Sequence, residues 1–201
     1  MTSTKQALEA GVGKLQLQLP APAVDQLLLY LDELVKWNSA YNLTAIRDPD
    51  EMVVRHLLDS LVVLPLMRGR VLDVGAGAGL PGIPLAIANP ALEVTTLDSN
   101  GKKARFMRHA VRTLKLAQSQ VAEGRVEDQA GSYDTITSRA FASLADFFDK
   151  TSHLLASGGQ WVAMKGKLDA KELAEIPAGV QIQETRRLLV PGLNEERHAV
   201  I

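Results

Sequence analysis

The sequence predicts an α/β protein with a mostly parallel sheet and helices on both faces. From Arg70 onward, apolar strand-like runs alternate with helix-like periods and short turns, a pattern typical of parallel sheets that are covered on both sides. Before that point only helical periodicity is present. We therefore predict an N-terminal helical extension, residues 1–69, packed on a core of residues 70–201 as a single compact unit, which suits a chain of 201 residues.

Two helices are predicted in the extension. Apolar residues recur at steps of three and four over residues 24–35, which is typical of an amphipathic helix. Asp48, Pro49 and Glu51 then form the pattern of a helix start, with Asp48 as the N-cap and Glu51 completing a capping box. This second helix is predicted to continue through Leu61.

In the core, strands and helices are predicted to alternate, and a hairpin is predicted to follow them. The predicted strands lie near residues 70–75, 92–98, 118–122, 133–138 and 158–165. The predicted helices lie near residues 82–89, 101–116 and 143–156. Two further strands, 180–189 and 197–201, are separated by a Val-Pro-Gly turn at 190–192 and should pair at the sheet edge. The expected total is seven strands.

Composition excludes several classes of function. No apolar run approaches the ~20 residues of a membrane span. The chain has no cysteine, which excludes disulfides, thiolate metal sites and a cysteine nucleophile; this fits a reducing cytoplasm without requiring one. The net charge is −1, so a nucleic-acid partner must be held by a local basic patch and not by the overall field.

The most informative segment is residues 71–79, Val-Leu-Asp-Val-Gly-Ala-Gly-Ala-Gly, in which a short apolar strand runs into three alternating glycines. Glycine lets the backbone turn sharply and lets a ligand approach where a Cβ atom would clash. Asp73 precedes the glycines, and Asp98 ends the next apolar run, where its carboxylate can accept hydrogen bonds from ribose hydroxyls.

These features resemble the cofactor site of S-adenosylmethionine-dependent methyltransferases. Two alternatives remain at this point, a plain turn between strand and helix and an NAD site. The dinucleotide fingerprint G-x-G-x-x-G requires a glycine at position 80, where this chain has Leu80.

Five motifs follow one another along the chain: Trp-Asn-Ser-Ala-Tyr-Asn-Leu-Thr at 37–44, Arg-His-Leu-Leu-Asp-Ser at 55–60, Asp-Val-Gly-Ala-Gly-Ala-Gly-Leu-Pro-Gly-Ile-Pro at 73–84, Ser-Arg-Ala-Phe-Ala-Ser at 138–143 and Lys-Gly at 165–166. In this order they resemble the bacterial RsmG family, also called GidB, from about residue 25 to the end. The resemblance implies a Rossmann-like class I methyltransferase fold. It also implies transfer of a methyl group from S-adenosylmethionine to N7 of a guanine in the 530-loop region of 16S ribosomal RNA.

The resemblance also implies cofactor contacts at Gly75, Leu80, Val126, Glu127 and Arg139. For Glu127 the alternative is a solvated loop acid, and for Arg139 it is a surface arginine at a strand end. With the glycine loop and the two acids, the predicted cofactor-binding set is Asp73, Gly75, Gly77, Gly79, Leu80, Asp98, Val126, Glu127 and Arg139.

The segment after the fourth predicted strand indicates the acceptor atom. Methyltransferases that act on exocyclic amines of bases typically have Asn/Asp-Pro-Pro-aromatic here, because the amine must lose a proton. This chain has Ser-Arg-Ala-Phe at 138–141. Guanine N7 has a lone pair and no proton to lose, so no general base is required. We expect Arg139 and Lys165 to position the acceptor.

RNA must be held through its phosphates. The helix predicted at 101–116 has six cations and no acid, although such a run is also typical of a solvated helix face. Arg55 and Asp59 are spaced i, i+4, for which a surface salt bridge is the alternative. The predicted RNA-binding set is Arg55, His56, Lys102, Arg105, Arg108, Arg112, Lys165 and Arg197.

Three classes of function therefore remain. The first is a ribosomal RNA N7 methyltransferase, acting as a cytoplasmic monomer on 16S RNA or the small subunit, without a metal or a membrane. The second is a methyltransferase for a small molecule or a protein. The third is a non-catalytic RNA-binding protein that retains the fold. The basic helix and the five motifs favour the first.

Overall fold

The computed structural model describes residues 2–139 and 141–201, so Ala140 of the fourth motif lies outside the described residues. Seven strands form one sheet: β1 (Arg70–Val74), β2 (Glu93–Asp98), β3 (Ser119–Glu123), β4 (Tyr133–Ser138), β5 (Leu155–Lys165), β6 (Thr185–Arg187) and β7 (His198–Val200). Their order is β3-β2-β1-β4-β5-β7-β6. The first five strands are parallel, and β7 is antiparallel to both β5 and β6. The predicted fold class and the edge hairpin are confirmed.

The helices are α1 (Thr2–Lys14), α2 (Ala23–Tyr41), α3 (Pro49–Met52), α4 (Asp59–Leu61), α5 (Gly82–Ala88), α6 (Gly101–Thr113), α7 (Leu144–Thr151) and α8 (Ala170–Ala174). A π-helical segment, Val53–Leu58, joins α3 to α4. Within the described ranges, no helix combines the length and the apolar character needed to cross a bilayer.

Helices cover both faces of the sheet because successive strand residues point to opposite sides. Val71 of β1 packs in a cluster with Leu85 of α5. Its neighbour Leu72 packs on the other face with Phe147 of α7. Each strand of this central part is therefore buried on both sides, as parallel sheets require.

The N-terminal helices pack on the sheet side that carries α5 and α6. Leu27 and Leu34 of α2 are fully buried and belong to the same apolar cluster as Ala78 of the glycine loop. The Tyr30 hydroxyl donates a hydrogen bond to the carbonyl of Ala78 at 2.8 Å. The extension is thus bonded directly to the loop that follows β1.

The predicted helix start at Asp48 is confirmed, but the capping box is wrong. The Asp48 side chain accepts a hydrogen bond from the Asp50 amide at 3.0 Å. The Glu51 carboxylate pairs instead with the Arg55 guanidinium at 2.8 Å, because one helical turn places these opposite charges side by side.

The first helix, α1, was not predicted. It has few buried apolar residues, Leu8 and Val12, which lie one turn apart.

Several other boundaries differ from the prediction. The helix expected to reach residue 156 ends at Thr151, whose hydroxyl donates back to the Phe147 carbonyl at 2.6 Å. Strand β5 begins at Leu155 and pairs there with Tyr133; Leu154 and Leu155 continue the helical spacing of apolar residues, which misled the prediction. In the hairpin, β6 has 3 residues instead of ten, and α8 was not predicted.

Candidate active site

Two adjoining cavities lie where the carboxyl ends of β1, β2 and β4 meet. The first cavity, about 510 Å³, is bordered by the ends of β1 and β2, the loop after β3 and Phe141. The second cavity, about 380 Å³, lies between the glycine loop and the N-terminal helices. Gly75 and Lys103 line both. Ligands of doubly wound sheets bind where the strand order reverses, which here is between β1 and β4.

The glycine loop forms the boundary between the cavities. Gly75, Gly77 and Gly79 have φ values of +68°, +61° and +91°, a region that favours glycine. A Cβ atom on Gly77 would meet no protein atom within 4 Å, so this position faces open space in the second cavity. A Cβ atom on Gly79 would overlap the Ile83 side chain. Leu80 is buried and lines the second cavity.

Asp98 supports this loop from the end of β2. One carboxylate oxygen accepts a hydrogen bond from the Gly77 amide at 2.8 Å, and the other accepts one from the Asn100 amide at 2.9 Å. The Lys103 ammonium lies 3.8 Å away. Asp98 lines the first cavity, and each of its oxygens has further acceptor capacity, so it can bind hydroxyl groups there.

Asp73 has a different place. Its side chain is fully buried and lines neither cavity. One oxygen accepts a hydrogen bond from the Gly82 amide at 2.7 Å, and the other, Oδ1, has no partner among the described residues. Asp73 therefore anchors the start of α5 behind the glycine loop, and its predicted contact with a cofactor remains a prediction.

Burial raises the pKa of Asp73 from its ordinary value of 3.8 to about 7, although the Gly82 amide and Arg139 oppose the shift. The folded protein therefore retains a proton that the unfolded chain releases, and Asp73 lowers stability as the pH rises from about 4 to about 7. We expect Asp73→Asn, which does not titrate at this position, to become increasingly stable relative to the parent protein as the pH rises from about 4 to about 7.

Chemical denaturation of both proteins at pH 5 and pH 8 measures this difference. Burial lowers the pKa of His56 from 6.5 to about 4. This shift makes the stability of both proteins rise as the pH rises from about 4 to about 6.5. Comparing the two proteins removes this common contribution. Parallel stability curves would contradict the raised pKa of Asp73.

Val126 and Glu127 line the first cavity, beyond the end of β3. Val126 is buried, whereas Glu127 is exposed. A hydrogen bond from its own backbone amide and the nearby Arg125 guanidinium lower the pKa of Glu127. The carboxylate is thus ionised and accessible at the cavity rim, where it can accept hydrogen bonds.

The Arg139 guanidinium is held at the second cavity by groups from the N-terminal helices. Its Nη1 atom donates to the carboxylate of Asp59 at 2.8 Å and to the backbone carbonyl of Arg55 at 3.2 Å. The other oxygen of Asp59 accepts from Nε of Arg197 at 2.9 Å. Both arginines line the second cavity. The i, i+4 salt bridge considered between Arg55 and Asp59 is therefore not formed, since Asp59 pairs with arginines far along the chain.

Arg55 and His56 lie on the π-helical segment, a conformation often found at functional sites. Arg55 lines the second cavity and pairs with Glu51 and Glu195. His56 also lines it, but its ring is buried and its Nε2 atom is 2.9 Å from the Thr44 hydroxyl. Desolvation and the charge of Arg139 lower its pKa to about 4, so the imidazole is neutral near pH 7.

Lys165 lies at the end of β5 but lines neither cavity. Its ammonium pairs with the Glu172 carboxylate of α8 at 2.7 Å and donates to the Ala142 carbonyl at 3.3 Å. Glu172 also accepts from the Leu144 amide at 2.8 Å. Lys165 thus attaches α8 to the segment after Arg139; positioning of an acceptor by Lys165 remains a prediction.

Apart from Lys103, the cations of α6 lie on its solvent side. The four predicted RNA-binding residues of this helix are exposed: Lys102, Arg105, Arg108 and Arg112. Phe106, Met107 and Ala110 form its buried side. Of the exposed arginines, Arg108 pairs with Glu123 at 2.9 Å and Arg105 donates to the Tyr41 hydroxyl at 3.3 Å.

Several lining residues were missed as site candidates. Lys103 lines both cavities, but in the sequence it is one of six similar cations. Thr44 and Asp59 line the second cavity. Both belong to the first two motifs, which is the sequence feature that could have identified them as site residues. Asn38 gives the first of these motifs a structural role, since its side chain accepts a hydrogen bond from the Thr44 amide at 2.9 Å and donates one to the Ile46 carbonyl at 3.2 Å.

No group of three or more His, Asp or Glu side chains in the described chain is placed to hold a metal ion.

Solved structures share the fold. TrmN from Thermus thermophilus gives a TM-score of 0.58 at 18% identity, covering 74% of this chain and 52% of that one. A SAM-dependent methyltransferase from Aquifex aeolicus gives a TM-score of 0.58 at 15% identity, covering 76% and 92%.

Sequence relatives are much closer. The family described as rRNA small subunit methyltransferase G (GidB) matches residues 23–200. A protein with the name ribosomal RNA small subunit methyltransferase G from Stenotrophomonas maltophilia K279a is 53% identical over 201 residues, covering 98% of this chain and 94% of the relative. The protein of that name from Neisseria meningitidis MC58 is 48% identical over 200 residues, with coverage of 98% and 97%.

Proposed function

Because this chain belongs to the rRNA small subunit methyltransferase G family, we propose that it methylates small-subunit ribosomal RNA with S-adenosylmethionine as cofactor. The finer proposal is that the acceptor is N7 of a guanine in the 530-loop region of 16S RNA. The protein acts in the cytoplasm, as a monomer and without a metal, on naked RNA or on the small subunit. Relatives of this name, similar along nearly their whole length, support the RNA substrate.

The observation that supports the reaction most directly is the pair of cavities joined at Gly75 and Lys103. The first has the size of a site for a small ligand and has the Asp98 carboxylate on its wall. The open space beside Gly77, which a larger residue would fill, fits a ligand that passes from the first cavity into the second. S-Adenosylmethionine is such a ligand: Asp98 would bind its ribose, Val126 and Glu127 its adenine end, and Arg139 its carboxylate.

The groups around the second cavity suit an acceptor that keeps its protons. The His56 imidazole has a pKa of about 4 and is bonded to Thr44, and both oxygens of Asp59 are paired with arginines. His56 is therefore a weak base, and the two guanidiniums engage both oxygens of Asp59. When bound, S-adenosylmethionine would supply a methyl group on a cationic sulfur, which the lone pair of N7 could accept without loss of a proton.

The residues of this chain then contribute by alignment, an effect worth up to ~7–11 kcal/mol when the geometry is well held. Arg139 lies beside the glycine loop in the second cavity, where its remaining donors can bind a carboxylate or O6 of the base. An arginine that forked onto both O6 and N7 would block the reacting nitrogen, so contacts with the base must leave N7 free.

The test is methylation of 16S RNA and of assembled small subunits with cofactor labelled in its methyl group, followed by location of the modified nucleotide. We expect label at N7 of a single guanine. Label in a co-purifying protein or small molecule instead of RNA would support the second class of function. Binding of RNA and cofactor without any transfer would support the third.

Asp98→Ala is expected to weaken binding of S-adenosylhomocysteine by about 1.5–3 kcal/mol, because it removes a charged acceptor of ribose hydroxyl bonds. The variant also leaves the Gly77 amide without its partner, which adds to the loss. Calorimetry measures the affinity, with Asp128→Ala as the control, since Asp128 is an exposed loop acid that lines neither cavity. Equal affinities in the two variants would reject Asp98 as the ribose acid.

The exposed face of α6 is proposed to bind RNA phosphates. Replacing Arg105, Arg108 and Arg112 with glutamine should lower RNA affinity and flatten its salt dependence by roughly 0.7–0.9 in log–log slope per lost phosphate contact. Cofactor affinity should not change. Filter binding over a range of salt concentrations measures the slope, and Lys5→Gln/Lys171→Gln, on α1 and α8, is the control. If the triple variant and the control show the same salt dependence of RNA affinity, the exposed face of α6 does not bind RNA and is only a solvated helix face.

A further inference from the structure

Asp59 connects three distant parts of the chain at the second cavity. It opens α4, before the sheet begins, and pairs with Arg139 after β4 and with Arg197 just before β7. These partners are 80 and 138 residues away along the chain. Each pair uses a different carboxylate oxygen, at 2.8 Å for Arg139 and 2.9 Å for Arg197.

Asp59 is much more enclosed than its two partners, which are therefore better placed to meet a ligand. Its side chain is 4% exposed, whereas those of Arg139 and Arg197 are 23% and 22% exposed. The contacts of Arg139 within the described residues use only its Nη1 atom, and a guanidinium has five N–H donors. The arginines thus keep donors for ligands while the carboxylate fixes where they stand.

The charges make this arrangement dependent on the carboxylate. Two guanidiniums share one buried anion, so the cluster of Asp59, Arg139 and Arg197 carries one net positive charge. The third arginine of the cavity, Arg55, is paired separately with Glu51 and Glu195. Without Asp59, two like charges would face each other in a poorly solvated place and move apart.

We infer that Asp59 is a positioning residue for the methyl transfer, holding Arg139 toward the cofactor carboxylate and Arg197 toward an RNA phosphate beside the target nucleotide. This inference rests on the proposed function. It assigns the two arginines to different anions because Arg139 follows β4 beside the glycine loop, whereas Arg197 comes from the edge hairpin. One carboxylate then sets the spacing between cofactor and RNA.

Double-mutant cycles test whether Asp59 acts through the arginines. We expect Asp59→Asn to weaken binding of both S-adenosylhomocysteine and RNA, each on the order of tenfold. In an Arg139→Gln background the same change should no longer affect S-adenosylhomocysteine, and in an Arg197→Gln background it should no longer affect RNA. Glu184→Gln is the control, since Glu184 pairs with Arg186 at similar distances and lines neither cavity.

Asp59→Glu keeps the charge and serves if Asp59→Asn fails to fold. Its extra methylene should displace both guanidiniums and lower kcat/KM on the order of 10²-fold, as small misplacements do. A lower melting temperature with unchanged affinities and unchanged kcat/KM, or additive effects in both cycles, would overturn the inference. The S-adenosylhomocysteine cycle needs no RNA, so it still tests Asp59 if the parent protein fails to methylate ribosomal RNA.

Discussion

Gly77→Val is expected to abolish measurable binding of S-adenosylhomocysteine and, with it, methyl transfer. The Cβ position of residue 77 faces open space in the second cavity, which the proposed ligand would occupy, so a branched side chain there competes directly with it. Calorimetry at concentrations that saturate the parent protein measures the loss.

Backbone strain requires a separate control, because residue 77 has φ = +61° and a β-branched residue rarely adopts that conformation. Gly158→Val is matched to it: Gly158 has φ = +72° and likewise has no atom within 4 Å of its Cβ position, but it lines neither cavity. Both variants should lose roughly 1–3 kcal/mol of stability through strain. Equal cofactor affinities in the two folded variants would contradict the place of Gly77 in the cofactor site.

Replacing the target guanine with 7-deazaguanine should eliminate methylation while leaving RNA affinity unchanged. The analogue has a carbon in place of N7 and therefore no lone pair to form the new bond. The measurement is single-turnover transfer to RNA reconstituted with the analogue, compared with unmodified RNA of the same sequence. On unmodified RNA the rate of transfer should show no titrating general base between about pH 6 and 9, because no proton leaves the base.

Transfer to the analogue is the outcome that contradicts N7. A methyl group on an exocyclic amine or a ribose hydroxyl would mean that a proton is removed during the reaction. It would also require a base other than His56, whose pKa of about 4 leaves it a weak acceptor.

Local patterns in the sequence predicted most of the fold. The period of the apolar residues distinguished helices from strands, and the glycines after β1 indicated the loop that borders the two cavities. The errors have local causes too. Leu154 and Leu155 fit the spacing of α7 although the second belongs to β5, and α1 has too few buried residues to give a strong period.

The site itself was less predictable because its side chains are positioned by partners far along the chain. Arg139 and Lys165 were correctly found at strand ends, but their ion pairs with Asp59 and Glu172 join different motifs and elements. For Arg55 the i, i+4 spacing suggested Asp59 as the partner, whereas the structure pairs it with Glu51 and Glu195. Contacts of this kind depend on how the helices pack on the sheet, which periodicity does not specify.

The position of β7 between β5 and β6 has a consequence for how the protein folds during synthesis. Strand β6 is made first, yet it has no place in the sheet until β7 is inserted beside β5. A growing chain that ends before β7 therefore presents β5 as an open strand edge, the kind of surface at which chains associate. The segment that closes this edge also brings Arg197 to Asp59, so the sheet and the second cavity are completed by the same residues.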